Sequence, residues 1–203
     1  MSLARALAVA QGRSLTEEEI NQAGYEGEKG YHGTPSGIDN TASTYGGVLK
    51  FQRTDAAPIF DIKSLPSPAL IVYASTGITA STTKVVADVA AKKAADEDWF
   101  AALLARYMDI FTEAEVALQA CDWVKVGELA NLNHTLCQDL SVSCAELDAL
   151  VTAARSAGAL GAKMCGTGRG GLMWAICADK ASQEVVFAAL SAIAPQVWMT
   201  EFA

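Results

Sequence analysis

The chain has 203 residues, of which 51% are hydrophobic and 19% charged, with a formal net charge of −8. That much apolar material can close a core without a disulfide or metal staple, and no apolar run reaches the roughly 18 residues of a membrane span. The acidic balance, with no dense Lys/Arg stripe, points away from nucleic acid as a partner.

Ser2 to Gln11 is rich in Ala and Leu and predicts a helix closed by Gly12. Ser14 and Glu17 have capping-box spacing and predict a second helix that ends between Glu28 and Gly30. From Tyr31 to Gly47 the composition turns to Gly, Thr, Ser, Pro, Asp and Asn, with a short helical segment from Asn40 to Tyr45. Val48 to Phe51 predicts a strand, and Pro58, Pro66 and Pro68 punctuate a connection read as the domain boundary, giving domains 1–66 and 67–203.

Ala69 to Tyr73 predicts a buried strand. Helices are then expected over Thr82 to Ala95, Asp98 to Ala120, Asp122 to Cys137 and Cys144 to Ala157, the last opened by a Ser143–Glu146 capping box. The period changes again in the final stretch: strands at Ala162 to Cys165 and Leu172 to Ala178, a helix from Ser182 to Ile193, and a strand from Gln196 to Glu201. With the strand at Ala69 this is β–helices–β–β–α–β, an α+β class with the order of a ferredoxin-like split βαβ sandwich.

Cys121, Cys137, Cys144, Cys165 and Cys177 are odd in number and never form CxxC, which fits reduced thiols in a cytoplasmic protein, with an organelle left open. His32 and His134 have no neighbours at ligand spacing, so a structural zinc centre is not expected.

Three segments can carry chemistry. The densest, Glu26 to Asn40, gathers carboxylates, His32, hydroxyls and glycines. Within it Asp39 has two readings, a helix N-cap or a carboxylate free to act, and Glu28 is either a solvated charge or a metal ligand. The second segment, Gly158 to Gly171, contains Gly166, Gly168 and Gly171 in G-x-G-x-x-G spacing. A strand-like run follows these glycines, whereas a dinucleotide fingerprint must open a helix, so the segment reads as strand, Gly-rich turn, strand. The excess of glycine suggests close approach of backbone to a ligand, and Arg169 adds a guanidinium suited to phosphate or carboxylate. In the third segment, Ser75 to Lys84, Ser and Thr are expected caps that could also receive a small anion.

On these residues the chain resembles the GHMP family of small-molecule kinases, and within it the mevalonate kinases. Glu28 to Asn40 resembles the E-x-x-x-H-G-x-P-S-G-x-D-N motif, and Lys163 to Gly171 resembles the family's Gly-rich third motif, with Arg169 where a glycine is usual. The resemblance implies a remnant of an S5-like N-terminal domain followed by a ferredoxin-like C-terminal domain with added helices. It implies ATP and Mg2+ as cofactors and phosphorylation of the 5-hydroxyl of mevalonate, a step in isoprenoid and sterol precursor synthesis. Asp39 would be the catalytic carboxylate and Glu28 the magnesium ligand. His32, Gly33, Ser36 and Thr82 would bind substrate, and Gly166, Thr167, Gly168, Arg169, Gly170 and Gly171 would form the phosphate loop. A small-molecule substrate is thus the expected partner, with no membrane; a homodimer is compatible and no residue is assigned to it. The P-x-x-x-G-L-G-S-S-A-type loop that wraps the nucleotide in this family has no counterpart here, which suggests an incomplete chain. Another GHMP kinase, or a ligand-binding fragment without catalysis, stays open as an alternative.

Overall fold

The computed structural model describes residues 1–32, 35–54 and 57–202, with the backbone alone at Tyr31 and His32. The chain divides into two units, residues 1–65 and 66–202.

The first unit opens with α1 (Ser2–Ala10). Gly12, at φ 65, ends it in a Schellman turn: Arg13 N–H donates to the Ala8 carbonyl at 2.9 Å and Gly12 N–H to that of Val9 at 3.0 Å. α2 (Glu17–His32) follows and runs further than its run of small residues suggests. Its capping box is formed by Thr16 and Glu19, not by Ser14 and Glu17: Glu19 N–H donates to Thr16 Oγ1 and Thr16 N–H to the Glu19 carboxylate. Both pairs have the right spacing, and the helix starts after the later one. Then come α3 (Ile38–Tyr45) and an antiparallel hairpin, β1 (Val48–Gln52) with β2 (Ile59–Lys63), in register Val48↔Lys63 to Gln52↔Ile59. The stretch read as a mere connection before Pro66 therefore holds a strand. Its Ile59, Phe60 and Ile62 are β formers, and the Phe60 ring lies tilted against Tyr45 of α3 with ring centroids 5.1 Å apart.

The second unit runs β3 (Ala69–Ser75), α4 (Thr82–Ala95), α5 (Glu97–Gln119), α6 (Trp123–Asp139), α7 (Ala145–Ser156), β4 (Gly161–Met164), β5 (Leu172–Cys177), α8 (Lys180–Ser191) and β6 (Gln196–Phe202). The strand order is β4-β5-β3-β6 with every pairing antiparallel, the split βαβ arrangement. Period-2 alternation sorts β3 between two cores. Val72 and Ala74 pack with Leu147, Leu150, Val151, Val186 and Leu190, the inward faces of α7 and α8. Ala69 and Ile71 join Ala117 of α5 and Val126 and Leu129 of α6 on the other face. Each large side chain buried this way contributes about 2 kcal/mol.

Two caps of the second unit also differ from expectation. α7 is preceded by Cys144 with no side-chain cap, and Ser143 Oγ instead donates to Asp148 at 2.5 Å. α8 begins before Ser182, because Asp179 and Ser182 form a reciprocal capping box.

β4 is an edge strand, and side chains take three of its backbone polar groups. Ala162 N–H donates to Asn131 Oδ1 at 3.0 Å, Met164 N–H to His134 Nδ1 at 3.2 Å, and Arg155 donates to the Ala162 carbonyl at 2.6 Å. α6 comes near enough to do this because two glycines face each other: a Cβ on Gly161 would lie 1.9 Å from the Gly127 carbonyl oxygen. Among the described residues no helix is long and apolar enough to cross a membrane.

Candidate functional site

In the first unit the motif residues lie along the end of α2 and the start of α3. Glu28 is half-buried in the last turns of α2, and His32 is its final residue. Gly33 lies outside the described residues. Ser36 Oγ accepts from Ile38 N–H at 3.3 Å, which starts the turn into α3. The N-cap of that helix is Gly37, left-handed at φ 86, and no side chain caps it. Asp39 is accordingly not the N-cap, the blander of its two readings. It stands exposed in the first turn, where the helix dipole favours a carboxylate, and it makes no hydrogen bond or ion pair with a described residue. The helix beneath it is braced by buried polar groups: Thr41 Oγ1 donates to the Gly37 carbonyl at 2.6 Å, and Asn40 Nδ2 to Asn21 Oδ1 at 2.6 Å.

In the second unit the Gly-rich loop joins β4 to β5 and closes on itself through Cys165 N–H to the Leu172 carbonyl at 2.9 Å. It borders a hollow of about 320 Å3, lined also by Ile78, Thr79, Ala80 and Thr82 from the β3–α4 connection. That connection is pinned to the loop from both sides. Gly171 N–H donates to the Ile78 carbonyl at 2.8 Å, and Thr76 donates to the Gly171 carbonyl through N–H at 2.9 Å and Oγ1 at 3.1 Å. Thr82 Oγ1 and Thr167 Oγ1 lie 3.3 Å apart across the hollow.

The glycines have two different jobs. A Cβ at Gly168 would sit 1.9 Å from the Val142 carbonyl oxygen, and one at Gly170 would sit 2.6 Å from that of Ile78. At these two positions the close approach is to the protein's own backbone. Gly166 and Gly171 meet nothing within 4 Å and are needed for φ values of 78 and 77. Among the described residues the amides of Gly166, Thr167, Gly168 and Gly170 have no hydrogen-bond acceptor, and all four residues line the hollow. The amides of Thr82 to Lys84 are the open first-turn donors of α4, whose N-cap Ser81 makes no side-chain cap. Of these three residues Thr82 lines the hollow, so open amides of the loop and of the helix start border one concavity, which suits an anion. Burial pushes the Cys165 thiol pKa up, so this part of the lining is neutral.

Arg169 does not line the hollow. It is left-handed at φ 53, a conformation that costs a non-glycine residue about 1 kcal/mol. Its side chain turns to the protein, with Nε donating to the Ser141 carbonyl at 3.0 Å and Nη1 to the Asp88 carboxylate. The guanidinium expected to face a ligand is therefore committed elsewhere. Nothing in the sequence marks Asp88 or Ser141 as its partners, since they lie in a helix face and a turn far along the chain.

Residues 114–196 match the family model described as GHMP kinases C terminal. The chain has the fold of the GHMP kinases. It is 38% identical to mevalonate kinase of Pyrococcus horikoshii over 170 residues, 81% of this chain and 49% of that protein. With mevalonate kinase of Thermococcus gammatolerans the identity is 35% over 177 residues, 85% of this chain and 52% of that protein. The crystal structure of L. major mevalonate kinase in complex with R-mevalonate superposes with a TM-score of 0.94 at 40% identity, covering 98% of this chain and 62% of that one. This GHMP-fold chain thus spans about half the length of the curated relatives it matches, and the likeness takes in both units.

Proposed function

We propose that the chain carries part of the machinery of an ATP-dependent kinase that phosphorylates the 5-hydroxyl of mevalonate. The observation that carries this reading is the hollow at the Gly-rich loop: four loop amides with no acceptor among the described residues, and the open start of α4, suit a phosphoryl-bearing ligand. Similarity to a mevalonate kinase solved with R-mevalonate supports the choice of alcohol.

Phosphoryl transfer asks a protein chiefly to hold the reactants in line and to offset spread negative charge. Asp39 supplies the carboxylate that orients or deprotonates the acceptor hydroxyl, a task open to its exposed side chain, which has no partner among the described residues. The loop amides and Thr82 hold phosphoryl oxygens. His32, Gly33 and Ser36 belong to the alcohol side. Among the described residues no group of three or more His, Cys, Asp or Glu could cage a metal. A half-buried Glu28 alone nevertheless fits Mg2+, which commonly takes one or two carboxylates and fills its remaining positions with water and phosphate. Bound there, Mg2+ would neutralise charge on the phosphates.

A coupled assay with ATP, Mg2+ and a panel of alcohols tests the reading. In a complete enzyme containing this chain, turnover should be confined to R-mevalonate and should fall by about a thousandfold in Asp39→Asn, with ATP affinity nearly intact. Turnover on a different alcohol, or an Asp39→Asn variant retaining most of its rate, would reject it.

A further inference from the structure

Arg169 interrupts a run of glycines, takes a backbone conformation that glycine takes more easily, and yet points its charge away from the hollow that its neighbours line. Its contacts form a three-way junction. The backbone N–H donates to the Val142 carbonyl at 2.7 Å, Nε to the Ser141 carbonyl at 3.0 Å, and Nη1 to Asp88 of α4. Lys92, one turn further along α4, ties the same helix to the same turn by donating to Ser141 Oγ at 2.5 Å and to the Leu140 carbonyl at 3.3 Å. The α6–α7 turn, α4 and the loop are thus locked at one point. The uncommitted amides of Gly166, Thr167, Gly168 and Gly170 lie immediately on either side of it.

We propose that Arg169 is a positioning residue: through Asp88 and Ser141 it fixes the loop in the anion-receiving shape and does not itself touch the anion. The proposal rests on the phosphate-binding reading of the loop given above. Physically, a loop rich in glycine has many conformations to lose on binding, and a clamp that removes them beforehand raises affinity without adding a ligand contact.

The clamp and a direct guanidinium–anion contact predict opposite signs for one substitution. If Arg169 bound the anion, Asp88 would compete for it, and Asp88→Asn would tighten binding. If Arg169 acts through Asp88, the same change loosens the loop and weakens binding. The test is titration of the whole chain with pyrophosphate, following the backbone amide resonances of Gly166, Gly168 and Gly170 by 15N NMR. The wild type should saturate. Asp88→Asn, Arg169→Gly and Arg169→Lys should each bind about fivefold more weakly, the most that a half-exposed ion pair allows. The Asp88→Asn/Arg169→Gly double variant should be no weaker than Arg169→Gly alone. Resonances of β3 and α7 in the same spectra verify that each variant is folded, and Asp88, with its exposed side chain, can be changed without opening a core. Unchanged or tighter binding by Asp88→Asn overturns the clamp and leaves the loop reading standing. Wild-type loop amides that do not respond to pyrophosphate overturn both.

Discussion

The two units are held together by different physics. Both apolar core clusters belong to the second unit, where Val72, Leu147, Met173, Ile176 and Leu190 are all but sealed from solvent. The first unit buries Ala8 and Ile20 but also Asn40, Thr41 and Thr44, and its short-range order comes from hydroxyl and amide bonds around α3. Burying apolar area gives cooperative stability that is insensitive to any one bond, whereas buried polar groups contribute only while each is paired. Asn40 Oδ1 has no partner among the described residues, a sign of how little surplus the first unit has. The segment that positions Asp39 is therefore expected to be the softer of the two, and the Gly-rich loop rides on the firmer.

Truncating the firm core gives the largest expected effect. Leu147→Ala should cost the second unit about 3 kcal/mol, read as a lower urea midpoint by tryptophan fluorescence. Hydrogen exchange of α3 should be unaltered in the same variant; an equal acceleration there would show that the units unfold together.

A second test uses pH. His134 is buried, and burial holds its pKa below the usual value although Asp148 pulls the other way. Its Nδ1 accepts from Met164 N–H, so Nε2 is the protonated nitrogen and donates to Asp148 at 3.0 Å. As pH falls through about 6.5 the unfolded chain takes up a proton that the folded imidazole refuses, so stability declines until the lowered folded pKa is reached. For Asp148, burial raises the carboxyl pKa, but hydrogen bonds from Ser143, Gln138 and His134 outweigh it. The net pKa is lowered, so stability is lost further as pH drops below the usual carboxylate range. Urea midpoints between pH 8 and 5 should fall in the wild type and flatten in His134→Gln, which begins less stable throughout. A slope that survives the substitution would place the proton uptake elsewhere.

The smallest effect probes the soft unit. Thr16→Ala removes one half of the α2 capping box and should cost about 1 kcal/mol, visible as faster exchange in the first turn of α2 with no change in β3 to β5. Faster exchange spreading into α3 would make the first unit more cooperative than its polar interior implies.

The second unit was largely legible from residue order, because its strands are short apolar runs and its helices carry clean apolar stripes; Leu147, Leu150, Val151 and Ala154 mark the buried face of α7 directly. β2 was obscured because prolines on both sides of Ile59 to Lys63 signal a connection, and only pairing with β1 makes it a strand. The caps at Thr16 and Asp179 were missed for a related reason: several Ser, Thr and Asp positions have the right spacing, and backbone direction picks one.

At the candidate site, the sequence by itself determined the residue types: a carboxylate beside a turn at Asp39, and a Gly-rich link between two strands near the C-terminal end. Those follow from local chemistry, in which glycine, hydroxyl and carboxylate preferences act within a few residues. What the tertiary structure decided was their use. Gly168 and Gly170 are small because Val142 and Ile78 press against them, Arg169 turns to Asp88 and Ser141, and Gly37, not Asp39, takes the cap of α3. Contacts across dozens of residues depend on where distant elements pack, and no periodicity along the chain encodes them.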